Sequence, residues 1–367
     1  MKRNTFASTL FSVTVCSLAA LYSLHADAAK RSSLYPENWV PGFSDAEGRF
    51  LHDFSYAGYR RGQLPIPTDV PGIKVDVTSA ADMAMAGIPV ADPSGVMDAT
   101  ASIQGAIDYV SSQGGGVVYL PAGTFLISDT DADRNVLSIR NSGVVLRGAG
   151  AGQSYLYYAS TYARDTVLIN VEAPKLAGNS NLHWRVPTVD GQDISIAEDM
   201  LLPSKQISLA STQGLAVGDW IIVKSDVTPQ FATEHKMDGV SKPWDERLHG
   251  PMLYRQIEAI DPASNTITLD IPTRYKLKAS YNSRIYKVVP HLEEVGIEQL
   301  SIGMAENTKA GSGENDYQVP GTLGYETDDS YVIRMAHVVN GWVKGVKSYR
   351  HSTNTGNYHI ASNGIEV

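Results

Sequence analysis

The sequence predicts an all-β chain wound as a solenoid, with one short helix near its start and an antiparallel β insertion in its middle. Three observations carry this. The 367 residues include 32 glycines and many β-branched side chains, while only 19% are charged, the profile of a folded β protein. Residues 95–128, GVMDATASIQGAIDYVSSQGGGVVYLPAGTFLIS, read as a helix, a glycine stop and two strands. Finally, similar segments recur towards the C-terminus at spacings that suit stacked coils.

The elements follow in order. Ile103, Ala106, Ile107 and Val110 recur at helical spacing. Asp98 or Thr100 can accept from the free N–H groups of the first turn, and Gly114 to Gly116 end the helix by taking positive φ. VVYL and TFLI, joined by Pro121-Ala122-Gly123, are rich in β-formers, and VLSIRNSGVVLRGAG (136–150) adds two more strands around a turn. SYLYYA and TVLINV continue the pattern to about residue 171. QISLAS, DWIIVKS, YRQIEAID, NTITLDIP and RIYKVVP then read as antiparallel hairpins, with a turn at Pro262 to Asn265. Asn340-Gly341-Trp342-Val343-Lys344 and Asn363-Gly364-Ile365-Glu366-Val367 lie 23 residues apart, and Gly296 to Ile302 match 342–348 at an offset of 46. The expected coil is therefore 23 residues long.

The order of helix, glycine stop and paired strands in 95–128, with the rung-like 136–150, resembles the opening of the pectate-lyase-like superfamily. The resemblance implies a single-stranded right-handed parallel β-helix whose N-terminal helix caps the first coil. The expected division is a signal peptide at 1–28, an extended wrapping segment at 29–75, and the cap and first rungs at 76–176. An inserted antiparallel region follows at 177–290, then further rungs at 291–367. A solenoid needs its ends covered, and Val367 falls in mid-rung, so the last rungs are expected to be missing from this sequence.

Lys2 and Arg3, an apolar run and Ala26-Asp27-Ala28 form the layout of a secretory signal, cleaved near Ala28. The expected location is secreted or periplasmic. The sole cysteine, Cys16, lies in that signal, so no disulfide is expected in the mature chain. The net charge is −9, and removal of Lys2, Arg3 and Asp27 with the signal makes it −10. That balance argues against nucleic acid or an anionic membrane as partner. A polysaccharide substrate and a monomeric chain are expected instead.

The resemblance implies action on an extracellular, acidic polysaccharide, with β-elimination ahead of glycoside hydrolysis. A lyase must neutralise a uronate carboxylate and remove the α-proton. VKGVKSYRHS (343–352) suits this: Val343 and Val346 point inwards, Lys347 points out, and Arg350 and His351 follow in the turn. A hydrolase needs two carboxyl groups across the bond, and Asp328-Asp329 is the adjacent pair available. Gly-His-Gly and Arg-Ile-Lys, which accompany the paired aspartates of polygalacturonases, are absent. A long polar loop, 226–252, and the strand after it offer His235, Trp244, Arg247, His249, Tyr254 and Arg255, an aromatic platform with cations for an acidic sugar. A non-catalytic carbohydrate-binding or adhesive β-helix is the remaining class. No metal-ligand spacing is visible; calcium is a cofactor only by family analogy.

Overall fold

The computed structural model describes residues 32–40, 42–128, 130–174, 188–237, 250–288 and 291–367. The signal segment and Trp244, Arg247 and His249 lie outside the described residues.

Three parallel sheets form the faces of a coil. The first comprises Ile73–Asp76, Gly116–Leu120, Val144–Gly148, Gly296–Glu298 and Trp342–Lys344, each paired with the next. The second comprises Ser94–Asp98, Gly123–Ile127, Ser154–Tyr158, Ser301–Met304 and Lys347–Ser348. The third runs Ile365–Glu366, Tyr331–Ala336, Val167–Glu172 and Asn135–Ile139. Alternate residues point inwards: Phe125, Leu137, Leu146, Leu156, Ile169, Ile297 and Ile333 are completely buried in one shared core.

The register corrects the expected coil length. Gly296 pairs directly with Trp342 and Ser301 with Lys347, so the 46-residue offset is a single coil. The 23-residue repeat links Trp342, in the first sheet, to Ile365, in the third. It relates two faces of the solenoid because each face asks for the same short apolar strand after a turn.

Two helices lie at the start, α1 (Ala80–Ala86) and α2 (Thr100–Ser112). Asp98 accepts from the Thr100 N–H at 2.7 Å, so the expected acidic start is present. Ile103, Ala106, Ile107 and Val110 are fully buried against the coil. Gln104 on α2 does more. It accepts from the Ser138 N–H at 2.7 Å and donates to the Ser138 carbonyl at 3.0 Å. Ser138 sits in the edge strand of the third sheet, so the amide side chain pairs with an edge that would otherwise stay open.

Between the coil segments stands a six-stranded antiparallel sheet, in the order Gln206–Ser208, Thr266–Leu269, Met252–Asp261, Trp220–Lys224, Arg284–Val288, Thr188–Ser195. It has its own core, including Ile207, Ile221, Val223, Ile267 and Ile285. The turn before Thr266 takes its left-handed residue at Asn265, φ 51°. The N-terminal segment lies over the outside of the first sheet. Tyr59, Ile66 and Val70 pack on Val117, Val145 and Trp342, and the Tyr59 ring meets the indole edge-on at 5.6 Å. Gly296 is required beneath that indole, since a Cβ there would overlap it. No helix among the described residues is long and apolar enough to cross a membrane.

Candidate functional site

The first sheet is covered by the N-terminal segment, whereas the second keeps an aromatic and cationic outer face. Strand register stacks Thr124, Tyr155, Ser301 and Lys347 in one column. Leu126, Tyr157 and Gly303 stack in the next, and Tyr349 extends it, its N–H donating to Ile302 at 3.1 Å. Adjacent strands lie about 4.8 Å apart, so each column of four runs roughly 14 Å across the coil.

The rings on this face are tightly arranged. Tyr155 and Tyr349 lie 4.7 Å apart, and His351 stacks on Tyr157 at 3.7 Å with 15° between planes. Gly303 makes room for Tyr349, because a Cβ there would come within 2.8 Å of the ring and of the Tyr349 carbonyl oxygen. The Tyr349 hydroxyl is buried without a hydrogen-bond partner among the described residues. Burial first, and then Tyr157 and Tyr155, raise its pKa, so it stays a neutral phenol.

Lys347 is exposed and forms no ion pair among the described residues; Arg350 is exposed and donates to the Gly356 carbonyl. His351 Nδ1 lies 2.7 Å from Thr353 Oγ1 and accepts from the Thr353 N–H at 3.3 Å. The backbone donor leaves Nδ1 as acceptor, so the neutral ring carries its proton on Nε2. Thr353 Oγ1 also meets the Tyr157 hydroxyl at 3.2 Å. Burial lowers the His351 pKa from its ordinary value. Asn354 ties this loop to the coil, donating to the Met304 carbonyl at 2.7 Å and accepting from the Glu306 N–H at 3.1 Å.

The structure thus brings Lys347, Arg350 and His351 to one loop and strand, and adds Tyr155, Tyr157, Tyr349 and Thr353, which sequence reasoning missed. The signal was available for Tyr349, two residues beyond Lys347 and hence on the same strand face. Tyr155 and Tyr157 alternate in SYLYY in the same way, but their meeting with residue 351 depends on the coil register.

The other expected residues lie elsewhere. Asp328 follows a short helix and pairs with Arg164 at 3.0 Å, while Asp329 occupies a turn with φ 51°. No hydrogen bond or ion pair among the described residues joins them to the Lys347 face. His235 stacks on Phe231 at 3.9 Å, with Nδ1 2.7 Å from its carbonyl, a helix-end packing contact. Arg255, expected to bind an acidic sugar, is turned inwards instead. It is 6% exposed, and its Nε, Nη1 and Nη2 donate to the carbonyls of Ile271, Tyr254 and Pro272 at 2.7–2.8 Å. Burial lowers its pKa to about 10. Its sequence neighbour Tyr254 faces the opposite way, into a cleft of about 740 Å³ between the N-terminal segment, the antiparallel sheet and a corner of the coil. Among the described residues, no group of three or more His, Cys, Asp or Glu is placed to hold a metal ion.

The family described as "Rhamnogalacturonase A/epimerase, pectate lyase-like" matches residues 90–188. Mannuronan C5-epimerase AlgE5 of Azotobacter vinelandii is 35% identical over 97 residues, 26% of this chain and 10% of that protein. AlgE4 of the same organism is 44% identical over 62 residues, 17% of this chain and 11% of that protein. The chain therefore spans about a tenth of the length of these curated relatives. Among solved structures, the Gp54 tailspike of Acinetobacter baumannii bacteriophage AP22, in complex with A. baumannii capsular saccharide, aligns at a TM-score of 0.38 and 12% identity, covering 77% of this chain and 38% of the tailspike.

Proposed function

The chain belongs to the pectate-lyase-like β-helix superfamily, and on that premise we propose that it cleaves an extracellular, uronate-containing polysaccharide by β-elimination on the outer face of the second sheet. The observation that carries this is the single face holding the exposed amine of Lys347, which forms no ion pair among the described residues, the ring Tyr349 and the oriented imidazole His351.

In this reading Arg350 binds the uronate carboxylate, which lowers the cost of charge developing as the α-proton leaves. Lys347 is the base that takes the C5 proton. The electron pair forms the C4–C5 double bond, and the C4–O bond breaks. His351 Nε2–H donates its proton to the departing oxygen; Thr353 holds that tautomer in place. Tyr155 and Tyr349 offer faces on which sugar rings lie. Asp328 and Asp329 would serve the hydrolytic alternative.

A second reading is favoured by the sequence relatives, named mannuronan C5-epimerases. Epimerisation shares the carboxylate neutralisation and proton abstraction, then returns a proton to the opposite face of C5 with the glycosidic bond intact.

The test is incubation with polygalacturonate and polymannuronate. Elimination predicts new ultraviolet absorbance from unsaturated ends. A changed C5 configuration by proton NMR, without that absorbance, supports epimerisation. New reducing ends alone support hydrolysis, and retained binding with no reaction supports a binding module. No reaction or binding with any polyuronate overturns the proposal.

A further inference from the structure

The cleft of about 740 Å³ lies at a different corner of the coil from the Lys347 face, and its chemistry is different. Tyr56, Trp220 and Tyr254 line it, with Trp220 and Tyr254 5.4 Å apart. Its volume falls in the range of ordinary ligand clefts, and aromatic faces of this kind suit pyranose rings. The Tyr254 hydroxyl is buried without a hydrogen-bond partner among the described residues. Burial, and then the Glu293 charge, raise its pKa, so it remains a neutral phenol.

The charges decide which sugars fit. Both arginines lining the cleft are already neutralised: Arg60 by Glu294 at 2.7 Å, and Arg61 by Glu258 at 3.1 Å and Asp270 at 3.2 Å. Among the described residues, Glu293 is held through one oxygen only. His291 Nε2 lies 2.8 Å from Oε1, and Trp220 Nε1 donates to the same atom at 3.3 Å. The second oxygen is left to accept from a ligand. A uronate would meet no unpaired arginine here and a net excess of carboxylates, whereas a sugar hydroxyl would find a charged acceptor, which makes a stronger hydrogen bond than a neutral one.

We infer that this cleft is a saccharide site for an uncharged pyranose chain, separate from the uronate face. Glu293 is its hydroxyl acceptor and Trp220 with Tyr254 its stacking platform. The inference does not depend on the reaction proposed for the Lys347 face.

Isothermal titration of the full chain with maltohexaose, cellohexaose and mannohexaose, and with hexagalacturonate as the charged counterpart, tests it. At least one neutral hexaose should bind with an affinity insensitive to salt. Trp220→Ala and Glu293→Gln should each weaken it about tenfold or more, while Lys347→Ala leaves it unchanged. Glu293→Gln keeps size and shape, so it remains informative if Trp220→Ala fails to fold. Absence of binding by all three neutral hexaoses, or binding that survives Glu293→Gln, overturns the inference. So does hexagalacturonate binding that is lost in Trp220→Ala and kept in Lys347→Ala. None of these outcomes bears on polyuronate turnover, which Lys347→Ala tests alone.

Discussion

Replacing Gln104 by leucine should cost about 2–6 kcal/mol, although the side chain lies on a helix and outside the central core. The Gln104 amide pairs with both backbone groups of Ser138, at 2.7 and 3.0 Å, and Ser138 is only 3% exposed. Leucine removes both partners, and each buried backbone group left unsatisfied costs about 1–3 kcal/mol. Leucine and glutamine have similar helix propensity, so the loss is not a helix effect. The Gln104–Asp108 bond on the exposed helix surface, 2.9 Å, is lost as well; such pairs are worth about 0.2–0.5 kcal/mol. Urea unfolding measures the total, and amide hydrogen exchange at Ser138 locates it. Asp108→Ala isolates the surface bond and should shift stability by only a few tenths of a kcal/mol. Gln104→Glu keeps an acceptor for the Ser138 N–H but no donor for its carbonyl, and should fall between the two. A Gln104→Leu protein no less stable than Asp108→Ala, with unchanged exchange at Ser138, would refute the edge-pairing argument.

Three further outcomes are expected. Lys347→Ala should lower kcat/KM on the responsive polyuronate by about 10²–10⁴-fold with an unchanged urea midpoint, since the side chain is exposed. Gly303→Ala places a Cβ 2.8 Å from the Tyr349 ring and from its carbonyl oxygen; overpacking of this kind costs about 1–3 kcal/mol. Thermal melts should show that loss, and titration should show weaker polyuronate binding as Tyr349 is displaced. The half-buried His351 has a pKa below its ordinary 6.5 because of partial burial, so the unfolded chain binds the proton more readily. Its contribution to stability is complete above 6.5 and declines as pH falls from there towards the folded-state value. Urea midpoints measured across that window should lose this slope in His351→Gln.

Much of the architecture was legible because its causes are local. Buried Ile103, Ile107 and Val110 on α2 follow from helical spacing, and the Gly114–Gly116 exit from the tolerance of glycine for positive φ. The outward direction of Lys347 follows from strand alternation once Val343 and Val346 are placed inside. The same local reading misjudged the coil. A 23-residue repeat is real in the sequence, but apolar strands on two different faces look alike to any pattern, and only pairing shows which are neighbours. It also could not distinguish Tyr254 from Arg255. Alternation sends adjacent strand residues to opposite sides, and which side holds the cleft is set by the packing of the antiparallel sheet.

By itself, then, the sequence determined the solenoid's start, the alternation of its strands and the cation on its outer face. Each depends on the few residues on either side. The tertiary structure alone decided the coil length, the seating of His351 and Thr353 against Tyr157, 196 residues from Thr353, and the cleft around Trp220 with its paired arginines. Those depend on strand register and on packing between distant segments, which a one-dimensional pattern of apolar and polar residues leaves open.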